Sequence, residues 1–201
     1  IFINIKKVSY FYNTLYDYCE SDRVYTSTMG RFINMKLILS DRPLSVQPTS
    51  LADIQYIDLS GLKIANCVGC FGCWTKTPGR CVIRDDATRV YPLIAKSEKI
   101  IYVSRVKYGG YDTVMKTMLE RAIPIQQAFI RLVDGETHHV QREVMPKDAV
   151  IFAYGCNDKD EQELFSRLVA RNAKNMCFKS WDIHFCDERE LDNLVESEAS
   201  K

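Results

Sequence analysis

Four cysteines stand within fifteen residues, Cys67, Cys70, Cys73 and Cys81, in the spacing C-x2-C-x2-C-x7-C. Three thiols in steps of three on one tight loop suit the corner of an iron–sulfur cubane better than a zinc tetrahedron. A structural zinc usually takes its sulfurs as two separated pairs. Gly69, Gly72 and Gly79 permit the sharp backbone turns that wrapping a cluster requires. Spacing alone leaves three readings open: a [4Fe–4S] cluster, a zinc site, and unligated or disulfide-forming thiols that shape a surface loop. Trp74, directly after the run, either shields the site or packs.

Other residues carry weaker chemistry. His138-His139 read as a metal pair, as hydrogen-bond donors to a nearby ligand, or as solvated side chains; neighbours in sequence point apart in most conformations. Asp85-Asp86 read as an acid/base pair or, more simply, as the cap of the helix that follows. Cys156 ends an apolar run and reads as a reactive thiol or a small buried one.

The totals bound the answer. The chain has 201 residues, 46% hydrophobic and 26% charged, with a net charge of +1. That length suits one well-packed domain. The balanced charge gives no electrostatic argument for nucleic acid or an anionic membrane, and no stretch reads as a transmembrane helix. The apolar start of the chain is broken by Lys6, Lys7, Asp17 and Glu20 and does not read as a signal peptide. Clustered cysteines in that setting fit reducing cytoplasm, where they serve metal or redox chemistry more often than framework disulfides. Residues 1–34 lack a trusted period, and "MKLIL" from Met35 is a good opening strand. The expectation is therefore that Met35 is the biological start and 1–34 an N-terminal extension, with a partner-packing arm as the alternative.

From Met35, apolar runs alternate with helical stretches. Strands are expected at 35–39, 54–59, 99–104, 149–155 and 181–186, and helices at 87–97, 112–123, 158–175 and 188–197. Pro92 should kink or shorten the first helix; "KYGGY" (107–111) reads as a turn, and 124–147 as a long connection that is a lid or an interface. This rhythm implies an α/β three-layer sandwich, a five-stranded parallel sheet in the order 2-1-3-4-5. Ligands then sit beyond the carboxyl ends of strands one and three.

The run "CVGCFGCWTKTPGRCVIRDD", followed by "SRVKYGGYDTVMKTMLERAIP", resembles the flavodoxin-like NAD(P)H-dependent FMN reductases, in particular their iron–sulfur flavoprotein branch, over residues 35–190. The resemblance implies that Cys67, Cys70, Cys73 and Cys81 hold a [4Fe–4S] cluster. It implies that Val106, Lys107, Tyr108, Gly109, Gly110 and Tyr111 lie along the isoalloxazine ring of FMN, bordered by Gly155 and Cys156. The two glycines would let backbone approach a flat ring, and Tyr108 or Tyr111 would stack on it. One departure stands out. The family's first loop opens a helix that binds the FMN phosphate. Here only fourteen residues separate Leu39 from Ile54, Pro43 and Pro48 among them, so the first crossover is shortened. Ser40 and Arg42 remain as phosphate partners, with Ser45, Thr49 and Ser50 nearby.

Two functions of different class follow. One is an oxidoreductase in which FMN takes a hydride from NAD(P)H and passes electrons to a small-molecule or protein acceptor, in a homo-oligomer. The other is a non-enzymatic flavodoxin-like protein without FMN, acting as a cluster-bearing electron carrier, a redox sensor or a partner-binding module.

Overall fold

The computed structural model describes residues 35–45 and 53–201. The expected extension 1–34, together with Pro48, Thr49 and Ser50, lies outside the described residues. Strands are β1 (Lys36–Ser40), β2 (Ile54–Asp58), β3 (Lys99–Lys107), β4 (Gly110–Tyr111), β5 (Gln126–Val133), β6 (Glu136–Gln141), β7 (Lys147–Tyr154) and β8 (Phe178–Cys186). Helices are α1 (Gly72–Thr75), α2 (Ala87–Lys96), α3 (Thr113–Glu120), α4 (Lys159–Met176) and α5 (Leu191–Ala199).

Leu37, Ile38, Leu39, Ile100 and Ile101 are all fully buried. Continuous apolar runs of this kind need cover on both faces, which a parallel sheet between helices provides. The main sheet runs β2-β1-β3-β7-β8, every neighbouring pair parallel. This is the flavodoxin-like order expected for the five long strands. On one face Ile38, Ile101, Val103, Val150, Phe152 and Tyr154 pack with Leu191 and Val195 of α5.

Two features depart from the sequence expectation. The "KYGGY" turn is a β-hairpin: β3 runs on to Lys107, and β4 folds back antiparallel, pairing Lys107 with Gly110 and Val106 with Tyr111. Tyr108 and Gly109 form the two-residue tip, both with positive φ (54° and 69°), as a type I′ turn requires. The long connection is a second hairpin, β5–β6, in a two-stranded sheet of its own; its strands are mostly half-exposed or exposed, so no buried apolar run marks them in the sequence. Pro92 does not break α2, which keeps all ten residues from Ala87 to Lys96.

Helix starts follow local chemistry. Asp112 accepts from the Thr113 N–H at the head of α3, and Asp158 from the Glu161 N–H at the head of α4. The β3–β4 tip rests on α4: a methyl group on Gly109 would overlap the Leu164 side chain. Gly109→Ala therefore combines left-handed strain with a clash. We expect it to lower unfolding stability by about 1–3 kcal/mol in a urea titration; an unchanged midpoint would mean that the tip turns freely away from α4.

Candidate functional site

The cysteine loop is held from one buried cation. Arg121, at the end of α3, is 1% exposed. Its guanidinium donates to both carboxylate oxygens of Asp85 (2.6 and 2.9 Å), to Ala65 O (2.7 Å) and Ile83 O (3.4 Å), and to Cys81 Sγ (3.4 Å). Both flanks of the loop are thus fastened to one side chain. Within it, Gly69 and Phe71 take positive φ, and Trp74 donates to Ile123 O while packing on Phe71 and His139.

Cys67, Cys70, Cys73 and Cys81 all line one hollow, closed by Arg121 and Ile123. Cys73 is buried, Cys70 exposed, and all four are free thiols. Burial pushes the Cys73 thiol above its ordinary value of 9.0, and the other three cysteines, as like charges, add to the rise. Four thiols around one hollow, with the buried Cys73 held from ionising, are donor chemistry that a bound metal charge would relieve. Among the described residues no three such side chains already stand as a metal site, and the hollow measures about 20 Å3, room for one water. The donor set fits a cluster; the space requires the loop to open, and a methyl on Gly69 would meet nothing within 4 Å.

The second candidate lies at the carboxyl ends of β1, β3 and β7. Asp41 is its centre. Its carboxylate accepts from the Ser104 hydroxyl (3.0 Å), the Arg105 N–H (2.7 Å) and the Tyr154 hydroxyl (2.8 Å). Burial raises the Asp41 carboxyl above the ordinary 3.8, although the three hydrogen bonds pull the other way. Burial also raises Tyr154, and its bond to Asp41 adds to this. Beside them Arg42 and Arg105 both pair with Glu188, and Arg105 lies over the Tyr154 ring at 5.3 Å. Glu161 joins the next two loops, accepting from the Gly109 N–H (3.0 Å) and from the Cys156 thiol (3.2 Å).

The expected ring-lining residues therefore converge. Val106 to Tyr111 form the hairpin, and Gly155 and Cys156 are tied to its tip through Glu161. Tyr108 is 87% exposed, whereas Tyr111 is turned inward, edge-on to Tyr102 and Phe165. The expected phosphate end is arranged differently. Ser40 is fully buried and its hydroxyl accepts from the Arg42 N–H. The N–H groups of Asp41, Leu44 and Ser45 donate to Val103 O, the Tyr56 hydroxyl and Asp192 respectively. Pro43 has none to offer. Among the described residues of this loop, no backbone N–H is left for a phosphate, and the guanidinium of Arg42 is engaged by Glu188.

Asp41, Arg105, Glu188 and Arg121 carry no sequence signal, since lone charged residues near strand and helix ends give no pattern, and Glu161, in the charge run 158–161, reads as a solvated first turn of its helix but binds Gly109 and Cys156. His138 and His139 have separate partners: His138 bonds Asn175 and Glu136, and the His139 ring lies tilted against Trp74. Asp85 is both a ligand of Arg121 and an acceptor for the Ala87 N–H, and Asp86 heads α2.

No protein-family model matches the chain. In sequence it is 33% identical over 84 residues to an iron–sulfur flavoprotein of Archaeoglobus fulgidus, covering 42% of this chain and 37% of that protein. It is 29% identical over 77 residues to one of Methanocaldococcus jannaschii, covering 38% of this chain and 39% of that protein. The chain thus spans less than two fifths of these curated relatives. In structure it resembles an FMN-dependent NADH-azoreductase of Bacillus anthracis solved with FMN, at 12% identity, TM-score 0.54, over 84% of this chain and 98% of that one. A second azoreductase matches at 9% identity and TM-score 0.51, over 82% and 92%. The chain is therefore similar in sequence to iron–sulfur flavoproteins and shares the flavodoxin-like fold of the azoreductases.

The Arg121–Asp85 pair sets an acid limb. Burial alone would raise the Asp85 carboxyl, but hydrogen bonds from Arg121 and from the Ala65 and Ala87 N–H groups hold it below 3.8. A depressed folded value adds stability that is complete above 3.8 and is lost as pH falls through the lower value. Asp85→Asn should destabilise the neutral protein by about 3–5 kcal/mol, by leaving a buried cation unpaired. It should also flatten stability between about pH 4 and 2 relative to the parent. Chemical denaturation across pH reads both, and parallel acid limbs would remove Asp85 as the titrating group.

Proposed function

We propose that this chain is an FMN-dependent oxidoreductase that takes hydride from NAD(P)H and delivers electrons to a small-molecule or protein acceptor, as a homo-oligomer, with the four cysteines holding a [4Fe–4S] cluster. The observation that carries this reading is the convergence at the topological switch point. The β3–β4 hairpin, the Tyr154–Cys156 loop and the end of β1 are stitched together there by Asp41 and Glu161. In an open α/β sheet, that is where ligands bind. The sequence similarity to proteins named iron–sulfur flavoproteins supports the same reading.

The flavin supplies the hydride chemistry when bound. The residues of this chain supply its surroundings. Gly110 offers close backbone approach, and Tyr108 offers an exposed ring for stacking. Arg42 and Arg105 are the cations for a phosphate, which must displace Glu188 from them. Cys67, Cys70, Cys73 and Cys81 would hold the cluster, and Arg121 would keep a positive charge beside the Cys81 sulfur.

Anaerobic purification followed by flavin, iron and sulfide assays on one sample tests the proposal, with all three expected in stoichiometric amounts. A colourless protein that takes up no added FMN would overturn it. Gly110→Val separates the cofactors: a Cβ at this site would meet Leu168 and Lys107 O only at 3.8 Å, so the fold should tolerate the side chain while a ring laid on the backbone would not. Flavin should be lost by more than about tenfold and iron retained. Cys73→Ser should do the reverse. Glu188→Gln frees both arginines from an exposed ion pair of about 0.2–1 kcal/mol. It should tighten FMN binding up to about fivefold and leave riboflavin, which lacks the phosphate, unchanged.

A further inference from the structure

The cysteine segment carries cations of two kinds. Lys76, Arg80 and Arg84 are exposed, where water and salt screen their charge. Arg121 comes from another part of the chain and is 1% exposed, with a terminal nitrogen 3.4 Å from Cys81 Sγ. Among the described residues, no other cation donates to any of the four cysteine sulfurs. A guanidinium stays charged under all ordinary conditions, and burial removes the water that would weaken its field.

The contact sits on the held side of the loop. The Cys81 N–H donates to the Tyr91 hydroxyl at 3.3 Å, and Ile83 O and the Asp85 carboxylate both accept from Arg121. Cys70 is exposed, and a methyl on Gly69 would meet nothing within 4 Å. Room to open therefore lies in the Cys67–Cys73 limb, and the Cys81 limb keeps its place against the arginine. A cluster that entered the hollow would meet Cys81 with the guanidinium already beside its sulfur.

Taking up one electron breaks no bond in such a cluster and leaves one more negative charge on the iron and its sulfurs. A fixed cation hydrogen-bonded to one of those sulfurs favours the reduced form. Asp85 offsets part of that charge, because its carboxylate binds the same guanidinium through both oxygens.

We propose that Arg121 raises the reduction potential of the cluster through its N–H bond to the Cys81 sulfur, and that Asp85 holds the potential down from the other side of the same ion pair. The inference rests on the reading that the four cysteines hold a [4Fe–4S] cluster. It adds a division of labour: the cysteines bind the iron, and a residue that binds none sets how readily the iron is reduced.

The test is a redox titration of the anaerobically purified full chain, followed by electron paramagnetic resonance, which sees only molecules that carry the reduced cluster. Arg121→Gln should lower the ratio of reduced to oxidised cluster at a fixed potential about tenfold, equivalent to about 59 mV for one electron. Asp85→Asn should raise that ratio about tenfold, equivalent to about 59 mV the other way. Both variants break the same ion pair and loosen the fold, so a purely structural role would move them in the same direction. Arg80→Gln, which removes an exposed charge, should change the ratio by less than about twofold. Where a buried variant fails to fold, the unsubstituted protein still decides: nitrogen-15 placed in the arginine guanidinium groups should couple magnetically to the unpaired electron of the reduced cluster. Unchanged potentials, shifts of the same sign in the two variants, or absence of nitrogen coupling would each overturn the proposal and leave the cluster standing. A parent chain that holds no iron and sulfide would sink the cluster reading itself, and this inference with it.

Discussion

One buried guanidinium holds the chemistry-bearing half of this molecule together. Arg121 has five oxygen or sulfur contacts, and they come from residues 65, 81, 83 and 85, on either side of the cysteine run. The arginine sits at the end of α3, and α3 starts one residue after the β3–β4 hairpin. A single short helix therefore connects the two segments to which function is assigned. Burying a cation is costly, and the pairing with Asp85 offsets that cost only because the geometry is bidentate and the two terminal nitrogens also reach the Ala65 and Ile83 carbonyls. The arrangement specifies where the loop sits more than it stabilises the fold.

The carboxyl edge of the sheet is built on a different constraint. In a parallel sheet the strand ends deliver their loops to one rim, and loops so gathered must satisfy their polar groups locally. Here carboxylates do much of that. Asp41 binds the ends of β3 and β7 to β1, Glu161 binds the hairpin tip to the loop after β7, and Glu188 binds two arginines. Acidic groups thus occupy positions where an anionic ligand would otherwise collect N–H donors and guanidinium groups. Any phosphate that binds must compete with a residue of the chain itself, so this rim selects its ligand by exchange of one anion for another.

The face of the sheet covered by α3 and α4 follows a third logic. Aromatic rings fill it: Tyr102, Tyr111, Phe165 and Phe185 meet in edge-on contacts. Large rigid rings leave gaps where helices do not close over them. α3 ends at Glu120, before the Pro124 turn and the β5–β6 hairpin carry the chain away. A groove between α3 and α4 lies beside that stop, lined by Leu119, Glu120 and Tyr102 among others.

What the amino-acid sequence determined by itself was the periodic and the clustered. Buried runs such as Ile38 to Leu39 and Ile100 to Val103 announced a parallel sheet, because only cover on both faces tolerates them. Asp112 and Asp158 announced helix starts, because their side chains reach the first free N–H groups. The cysteine spacing and the "YGGY" run marked the two candidate loops, because glycines and thiols in tight spacing have few purely structural uses. Tertiary structure alone decided what depends on partners far apart in the chain. Arg121 reads as an ordinary helix residue until Asp85 and Cys81 are folded against it. Arg42 reads as a phosphate-loop residue until Glu188 arrives from more than one hundred positions away. Each is a question of electrostatic partner or of packing, and neither is carried by local spacing.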